Sequence, residues 1–238
     1  MIGSWFHRSW CYVFLISFAC VYYLVNAPLL LGHYDLGWHL AAGDLIRHDA
    51  HIPSQDPWSF TSGGAQWFNL SWSWDVIASV LFQYIGFSGL ILLVVACGAV
   101  IVGYLTAICL FSGASAIAVC ISVLSACLLY PAFAAYPNIY LAASPNLATM
   151  LFATIFYGEC LKRTIFKRVF LLPAIMVVWV NLHGGFLLGI LIVGIFCGAA
   201  LLRRDLVTAQ EFCLEALWRI TPDGENLSVF AGLGRWPG

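Results

Sequence analysis

The chain has 238 residues, of which 62% are hydrophobic and only 9% are charged, and its formal net charge is −1. A typical soluble domain is about 45–50% apolar and about 25% charged. A chain this short cannot bury so much apolar surface in one aqueous core. The composition excludes a soluble enzyme, a nucleic-acid-binding protein and a disordered chain. It predicts an all-α integral membrane protein with no nucleic-acid partner.

Apolar runs long enough to cross a membrane dominate the chain up to residue 204, and no Asp, Glu, Lys or Arg occurs between Val76 and Gly158. The nine cysteines match no CxxC pair, so we interpret them as small core residues rather than disulfides or metal ligands. The predicted spans are Ser9–Leu31, Phe87–Phe111, Ser115–Tyr130, Asn146–Leu161, Val169–Val180 and Phe186–Leu202.

A seventh apolar segment, Trp72–Ile85, has 14 residues, whereas a perpendicular span takes about 20. Asp75, Ser79 and Gln83 recur every four residues, which predicts a helix with one polar stripe. With this segment lying flat at the interface, six spans place three groups of basic residues on the cytoplasmic side (Arg8; Lys162, Arg163, Lys167 and Arg168; Arg203 and Arg204).

The predicted organisation is a polytopic membrane domain over residues 1–204, with about six transmembrane helices, and a short tail over residues 205–238. Residues 32–71 form the first outer loop, and Trp72–Ile85 is an interfacial helix. Both termini are expected on the cytoplasmic side of the inner (plasma) membrane. The chain stops within a Gly- and Pro-rich stretch, which favours a truncated tail.

The outer loop concentrates the titratable residues: four of the six histidines and four aspartates, against Arg47 as its one Lys or Arg. Leu36–His48 is predicted to be a second interfacial helix, with Leu36, Leu40 and Ile46 directed toward lipid. Asp35 directly precedes it. Its carboxylate either caps the helix or faces a substrate as a general base or metal ligand. Asp35, His39, His48 and His51 are candidate ligands for a divalent metal, although their spacing matches no metal motif, and interfacial histidines are the alternative.

The sequence Asn181-Leu-His183-Gly184-Gly185 lies where one short span gives way to the next. The two glycines permit a tight reversal, so a plain turn is one interpretation. The other is an anion-binding turn, in which His183 and exposed backbone amides hold a negatively charged group at the mouth of an outer cavity.

Two motifs together resemble a known family. The first is Asp35-Leu-Gly-Trp38-His39-Leu40 followed by Gly43, Ile52-Pro53, Asp56-Pro57-Trp58-Ser59-Phe60, Gly64 and Trp67; the second is Asn181-Leu-His183-Gly184-Gly185-Phe186. Both are similar to segments of bacterial polytopic glycosyltransferases of the GT-C superfamily, the relatives of protein mannosyltransferases and aminoarabinose transferases. The likeness covers roughly residues 9–204.

The resemblance implies an enzyme that takes a sugar from a polyprenyl-phosphate carrier in the membrane and passes it to an acceptor on the non-cytoplasmic face. It implies that Asp35 is the catalytic residue, and we add His39, Arg47, Asp75, Asn181 and His183 as predicted substrate-binding residues. No cofactor is assigned, and a divalent metal stays open.

Three departures from the family support an alternative function. Leu70-Ser71 stands where many relatives carry His-Glu, Ser144-Pro145 where they often carry Arg-Pro, and the later spans are missing. A lipid phosphate would then have little positive charge to bind. The alternative is a non-catalytic, truncated homologue that acts as a membrane assembly or lipid-binding protein.

Overall fold

The computed structural model describes residues 2–27, 31, 34–133, 142–162 and 171–202. In these ranges the chain is mainly helical, and its one β feature is an isolated antiparallel bridge between Gln55 and Gln66. The helices are α1 (Ile2–Val25), α2 (Leu36–Asp49), α3 (Trp72–Ile85), α4 (Phe87–Phe111), α5 (Ala116–Phe133), α6 (Asn146–Lys162), α7 (Leu171–Leu182), a 3₁₀ turn (Gly184–Phe186) and α8 (Leu187–Leu202).

The predicted all-α class is confirmed for the described residues, and most helix bounds agree closely with the sequence prediction. Both predicted interfacial helices, α2 and α3, are present. Helices α3 and α4 have the predicted bounds. The first helix differs most, since it begins at Ile2 and ends at Val25 rather than covering Ser9–Leu31. The tail over residues 205–238 and most of the basic cluster at 162–168 lie outside the described residues.

Two of the described helical segments are long and apolar enough to cross a membrane: the 25-residue Phe87–Phe111 and the 19-residue Gly184–Leu202. Four other apolar stretches are shorter than a perpendicular span: Ser9–Val25, Ala116–Ala126, Asn146–Leu161 and Leu171–Leu182. Length and composition therefore support two spans, and the predicted count of six stays a prediction.

Helix α4 lies at the centre of the packing and contacts α1, α3, α5 and α6, while α6 also packs against α7 and α8. Leu90 and Val94 of α4 and Leu147 of α6 are fully buried in the main apolar core. Leu36 and Ile46 of α2 are also buried, and Leu40 packs against this core. The expectation that these three side chains face lipid is therefore wrong, because α2 uses its apolar face to pack on the protein.

The outer surfaces of the helices are strongly apolar. Large apolar side chains are more than half exposed on α1, α5 and α8, among them Val21, Ile121 and Leu191. Little of the apolar surface of the two long segments is buried against the rest of the chain. Water would meet a continuous apolar surface along these helices, which is unfavourable for a soluble monomer.

Candidate functional site

Helices α2 and α3 pack together through their polar faces. On α2, His39 and Arg47 are eight residues apart, and on α3 Asp75 and Gln83 have the same spacing. His39 pairs with Asp75, and Arg47 hydrogen-bonds Ser79 and Gln83, so the two helices run in the same direction. We call these five side chains the polar seam. The stripe predicted on α3 is therefore real, but α2 covers it.

Asp75 is the most deeply buried charged group of the polar seam, with no exposed surface. Its Oδ1 atom lies 2.6 Å from Nδ1 of His39, and its Oδ2 accepts a hydrogen bond of 2.6 Å from the side-chain amide of Asn69. Both carboxylate oxygens thus have donors, as a buried carboxylate requires. Asp75 fixes the Nδ1 edge of His39 and leaves its Nε2 edge for another partner.

Gly43 permits the close approach of the two helices. A Cβ atom at this position would lie 1.9 Å from the carbonyl oxygen of Asp75 and 2.7 Å from Cβ of Ser79. Any larger residue would force α2 and α3 apart and would lengthen the contact between His39 and Asp75.

Arg47 uses its guanidinium group within the protein. It donates to the Ser79 hydroxyl over 3.0 Å and to the Gln83 side chain, and it lies 3.6 Å from the carboxylate of Asp44. About a quarter of its side chain, 23%, stays exposed. Arg47 is therefore partly neutralised rather than presented as an isolated cation.

His183 stands at the start of the 3₁₀ turn after α7. Its Nδ1 accepts a hydrogen bond of 3.2 Å from the backbone N–H of Gly185 and lies 2.7 Å from the hydroxyl of Thr149 on α6. Gly185 must be glycine here, since a Cβ would lie 2.2 Å from the Thr149 hydroxyl oxygen. Burial, and secondarily the nearby His39, lower the pKa of His183, so that its imidazole is neutral at pH 7.

The turn at 181–185 meets the start of α3. The indole N–H of Trp72 donates to the Asn181 side chain over 3.0 Å, and a Cβ at Gly184 would contact Leu70 at 3.5 Å. Helix α7 packs against α3, and His39 is near enough to contribute electrostatically to the lowered pKa of His183. The structure thus brings together His39, Asp75, Asn181 and His183, which are separated by more than 140 positions in sequence.

Asp35 lies one helical turn before His39 and is half-buried. Its backbone has φ −88° and ψ −7°, whereas capping residues usually adopt extended backbone, and its side chain makes no capping hydrogen bond. The interpretation of Asp35 as a side-chain cap is therefore wrong. Its backbone carbonyl accepts the His39 N–H over 3.0 Å, which is the ordinary first hydrogen bond of the helix.

The four candidate metal ligands do not converge. His39 contacts Asp75, while the exposed His48 and His51 contact the carboxylate and the carbonyl of Asp49. The described residues contain no group of three or more His, Cys, Asp or Glu placed to hold a metal ion. The hydrogen bond to Asp49, with its negative charge, raises the pKa of His48, which suits an exposed ion pair rather than a ligand set.

The rest of the first loop is held by aromatic packing. The indoles of Trp38, Trp58 and Trp67 contact one another edge to face, with ring centroids 4.9–5.4 Å apart. Asp56 accepts the backbone N–H groups of Trp58 and Ser59, and hydrogen bonds from Ser59 and these amides lower its pKa. The loop tip beyond them carries Phe60, which is fully exposed.

Three residues of the site were missed in the sequence: Asn69, Thr149 and Trp179. Asn69 holds Asp75, and Thr149 joins His183 to the indole N–H of Trp179, which donates to its hydroxyl over 3.1 Å. The one signal for Thr149 is a polar residue one turn into an apolar helix. Nothing local in the sequence indicates that Trp179 donates to it.

Comparison with known proteins gives no match: no family model, no curated protein and no solved structure matches this chain. The likeness to GT-C glycosyltransferases therefore rests on the motif residues themselves.

Proposed function

We propose that the chain is a multi-pass protein of the inner (plasma) membrane, with six spans, two interfacial helices (α2 and α3) and both termini in the cytoplasm. Support comes from the exposed apolar side chains of α1, α5 and α8 and from the two long apolar helices. The shorter apolar helices can still be spans if their ends are buried in protein or line a water-filled cavity, because lipid cannot satisfy free backbone groups.

The six-span arrangement predicts which positions a membrane-impermeant maleimide reaches in intact cells. On a Cys-free background, Phe60→Cys should be labelled from outside, since Phe60 is fully exposed at the loop tip. Ile165→Cys, in the basic segment, should be labelled only after the membrane is opened. Labelling of Ile165→Cys in intact cells would show seven spans, with α3 crossing the membrane.

We further propose that the protein, alone or as the N-terminal part of a longer chain, transfers a sugar from a polyprenyl-phosphate donor to an acceptor on the non-cytoplasmic face. The observation that carries this proposal is the meeting of the two family-like motifs. The loop motif contributes Asp35 and His39, the turn motif contributes Asn181 and His183, and α3 joins them through Trp72.

Each part of the site has a role in such a transfer. Asp35 is the proposed catalytic carboxylate, a base that takes the proton of the acceptor while the acceptor attacks the sugar carbon and the bond from that carbon to the carrier phosphate breaks. His39 lies one turn away and binds substrate through its Nε2 edge. Asp75 was predicted to bind substrate as well, but its burial places it behind His39, where it orients the ring. His183 and Arg47 are the groups proposed to face the phosphate.

A second candidate function is non-catalytic binding of a lipid phosphate, and the surroundings of Arg47 favour it. Arg47 is the one Lys or Arg of residues 32–71, and its guanidinium is engaged by Ser79, Gln83 and Asp44. In the proposed sugar transfer the polyprenyl phosphate is the leaving group, and it gains negative charge that must be stabilised in the transition state. A site with little free positive charge is therefore better suited to binding a lipid phosphate than to stabilising it as a leaving group.

Purified protein in phospholipid nanodiscs separates the two functions. The enzyme should release polyprenyl phosphate from a lipid-linked sugar when acceptor is added. A binding protein should instead be thermally stabilised by the polyprenyl phosphate without turnover, because a ligand that binds only the folded state raises its stability. If the protein shows no turnover and no stabilisation across a panel of lipid-linked sugars, both functions are ruled out.

A further inference from the structure

The hydrogen bonds around His183 determine which ring nitrogen carries the proton. The backbone N–H of Gly185 can only donate, so Nδ1 of His183 must accept. The indole N–H of Trp179 likewise only donates, and it occupies the Thr149 oxygen as an acceptor. The hydroxyl proton of Thr149 is then directed to Nδ1. Two donors on Nδ1 leave the single proton of the neutral ring on Nε2.

The Nε2 edge of this ring is available to a ligand. Both side-chain hydrogen bonds of His183 to described residues are made by Nδ1, and the side chain is only half-buried. Its charged and titratable neighbours are His39 on α2 and, behind it, Asp75 on α3; α6 and α7 present the neutral Thr149 and Trp179. A neutral ring with a fixed N–H is a preorganised donor for an anionic oxygen.

We propose that Thr149 is a positioning residue that holds His183 as a neutral donor through Nε2–H, and that this donor binds an anionic oxygen of a phosphoryl ligand. This inference rests on the proposed function for the identity of the ligand. The protonation pattern of His183 itself does not depend on it.

The first test is the tautomer of His183 in the wild-type protein, read from the side-chain nitrogen resonances of ¹⁵N-histidine-labelled protein and assigned by loss of the signal in His183→Gln. The expected result is an unprotonated Nδ1 and a protonated Nε2 at pH 7. A proton on Nδ1 overturns the proposal directly, whatever the protein does to lipid-linked sugars.

The second test compares Thr149→Val, which removes the hydroxyl, with Thr149→Ser, which keeps it. Farnesyl phosphate is the probe, and its affinity is obtained from the shift in melting temperature with ligand concentration. Loss of one hydrogen bond of about 0.5–1.5 kcal/mol predicts an affinity about 2- to 13-fold weaker for Thr149→Val, with a detectable Nδ1-protonated fraction of His183. Thr149→Ser should match the wild type in both measurements.

Further arms distinguish the ligand and protect the test against misfolding. Farnesol lacks the phosphate and should give no His183-dependent shift, while inorganic phosphate reports whether the headgroup alone suffices. His183→Gln keeps an N–H near the Nε2 position and should retain part of the affinity, whereas His183→Asn should lose it. Equal loss in both variants, or wild-type behaviour of a folded Thr149→Val, overturns the proposal. Correct tautomer and binding without sugar transfer would instead reject only the enzymatic function.

Discussion

Asp75→Ala should destabilise the protein by about 2–6 kcal/mol, because each of the two buried donors that it leaves without an acceptor costs about 1–3 kcal/mol. The carboxylate is fully buried, and the substitution would leave both the Nδ1–H of His39 and the amide of Asn69 without their acceptor. The measurement is unfolding by denaturing detergent, followed by circular dichroism, in mixed micelles.

Asp44→Ala is the matched control for this substitution. Asp44 is also an aspartate beside a basic residue of the polar seam, but its side chain is 75% exposed and its contact with Arg47 is 3.6 Å. Exposed pairs of this kind contribute about 0–1 kcal/mol. Equal stability losses for Asp75→Ala and Asp44→Ala would show that the contact between His39 and Asp75 is not formed in the folded protein.

A double substitution separates the pair from the packing around it. If the cost of Asp75→Ala comes mainly from the donor left on His39, then adding His39→Leu should recover part of the lost stability, because the ring no longer lacks a partner. Full additivity of the two single changes would locate the effect in helix packing at Gly43 instead.

Local patterns predicted the helices well because hydrophobic runs and turn residues act over short distances. Trp72–Ile85 and Phe87–Phe111 are separated by Gly86, whose φ of 71° is readily adopted by glycine alone, and both helices have the predicted bounds. The period of four in Asp75, Ser79 and Gln83 was also correct. What the pattern does not contain is the partner of that stripe.

The packing of α2 on this stripe was not predicted, because the sequence pattern is the same whether a polar stripe faces water or another polar helix. His39 and Asp75 are 36 residues apart in sequence, and they meet because the loop at 50–71 places α3 beside α2. Leu36 and Ile46 lie three and seven residues from His39, on the same face of α2, so the packing that covers the stripe buries them as well. The tertiary contact between α2 and α3 therefore overturns the predicted lipid-facing orientation of α2.

In the candidate site, too, residues in local motifs were predicted and residues that act through tertiary contacts were not. Asp35, His39 and His183 were found from motifs, because the residue types and spacing resemble a family. The groups that hold them, Asn69 and Thr149, lie in other segments and act through single hydrogen bonds, which leave no periodic signal. The loop histidines were grouped as candidate metal ligands because they are close in sequence. They do not converge in the structure, where His48 and His51 both contact Asp49.

Asp35→Asn should abolish sugar transfer while leaving the fold almost unchanged. Asn keeps the shape of Asp but has no oxygen that can take a proton, so a general base is lost. General acid–base catalysis typically contributes about 10²–10⁴-fold to the rate, and a decrease of that size is expected. The helix should tolerate the change, because the side chain of Asp35 makes no capping hydrogen bond.

The assay measures release of polyprenyl phosphate by the longest available form of the protein in nanodiscs, with melting temperature recorded on the same samples. Asp49→Asn is the control, because Asp49 also lies at an end of α2 but pairs with the exposed His48. It should transfer sugar at the wild-type rate. Wild-type turnover by Asp35→Asn would remove Asp35 from the chemistry and leave His39, oriented by Asp75, as the remaining base at this site.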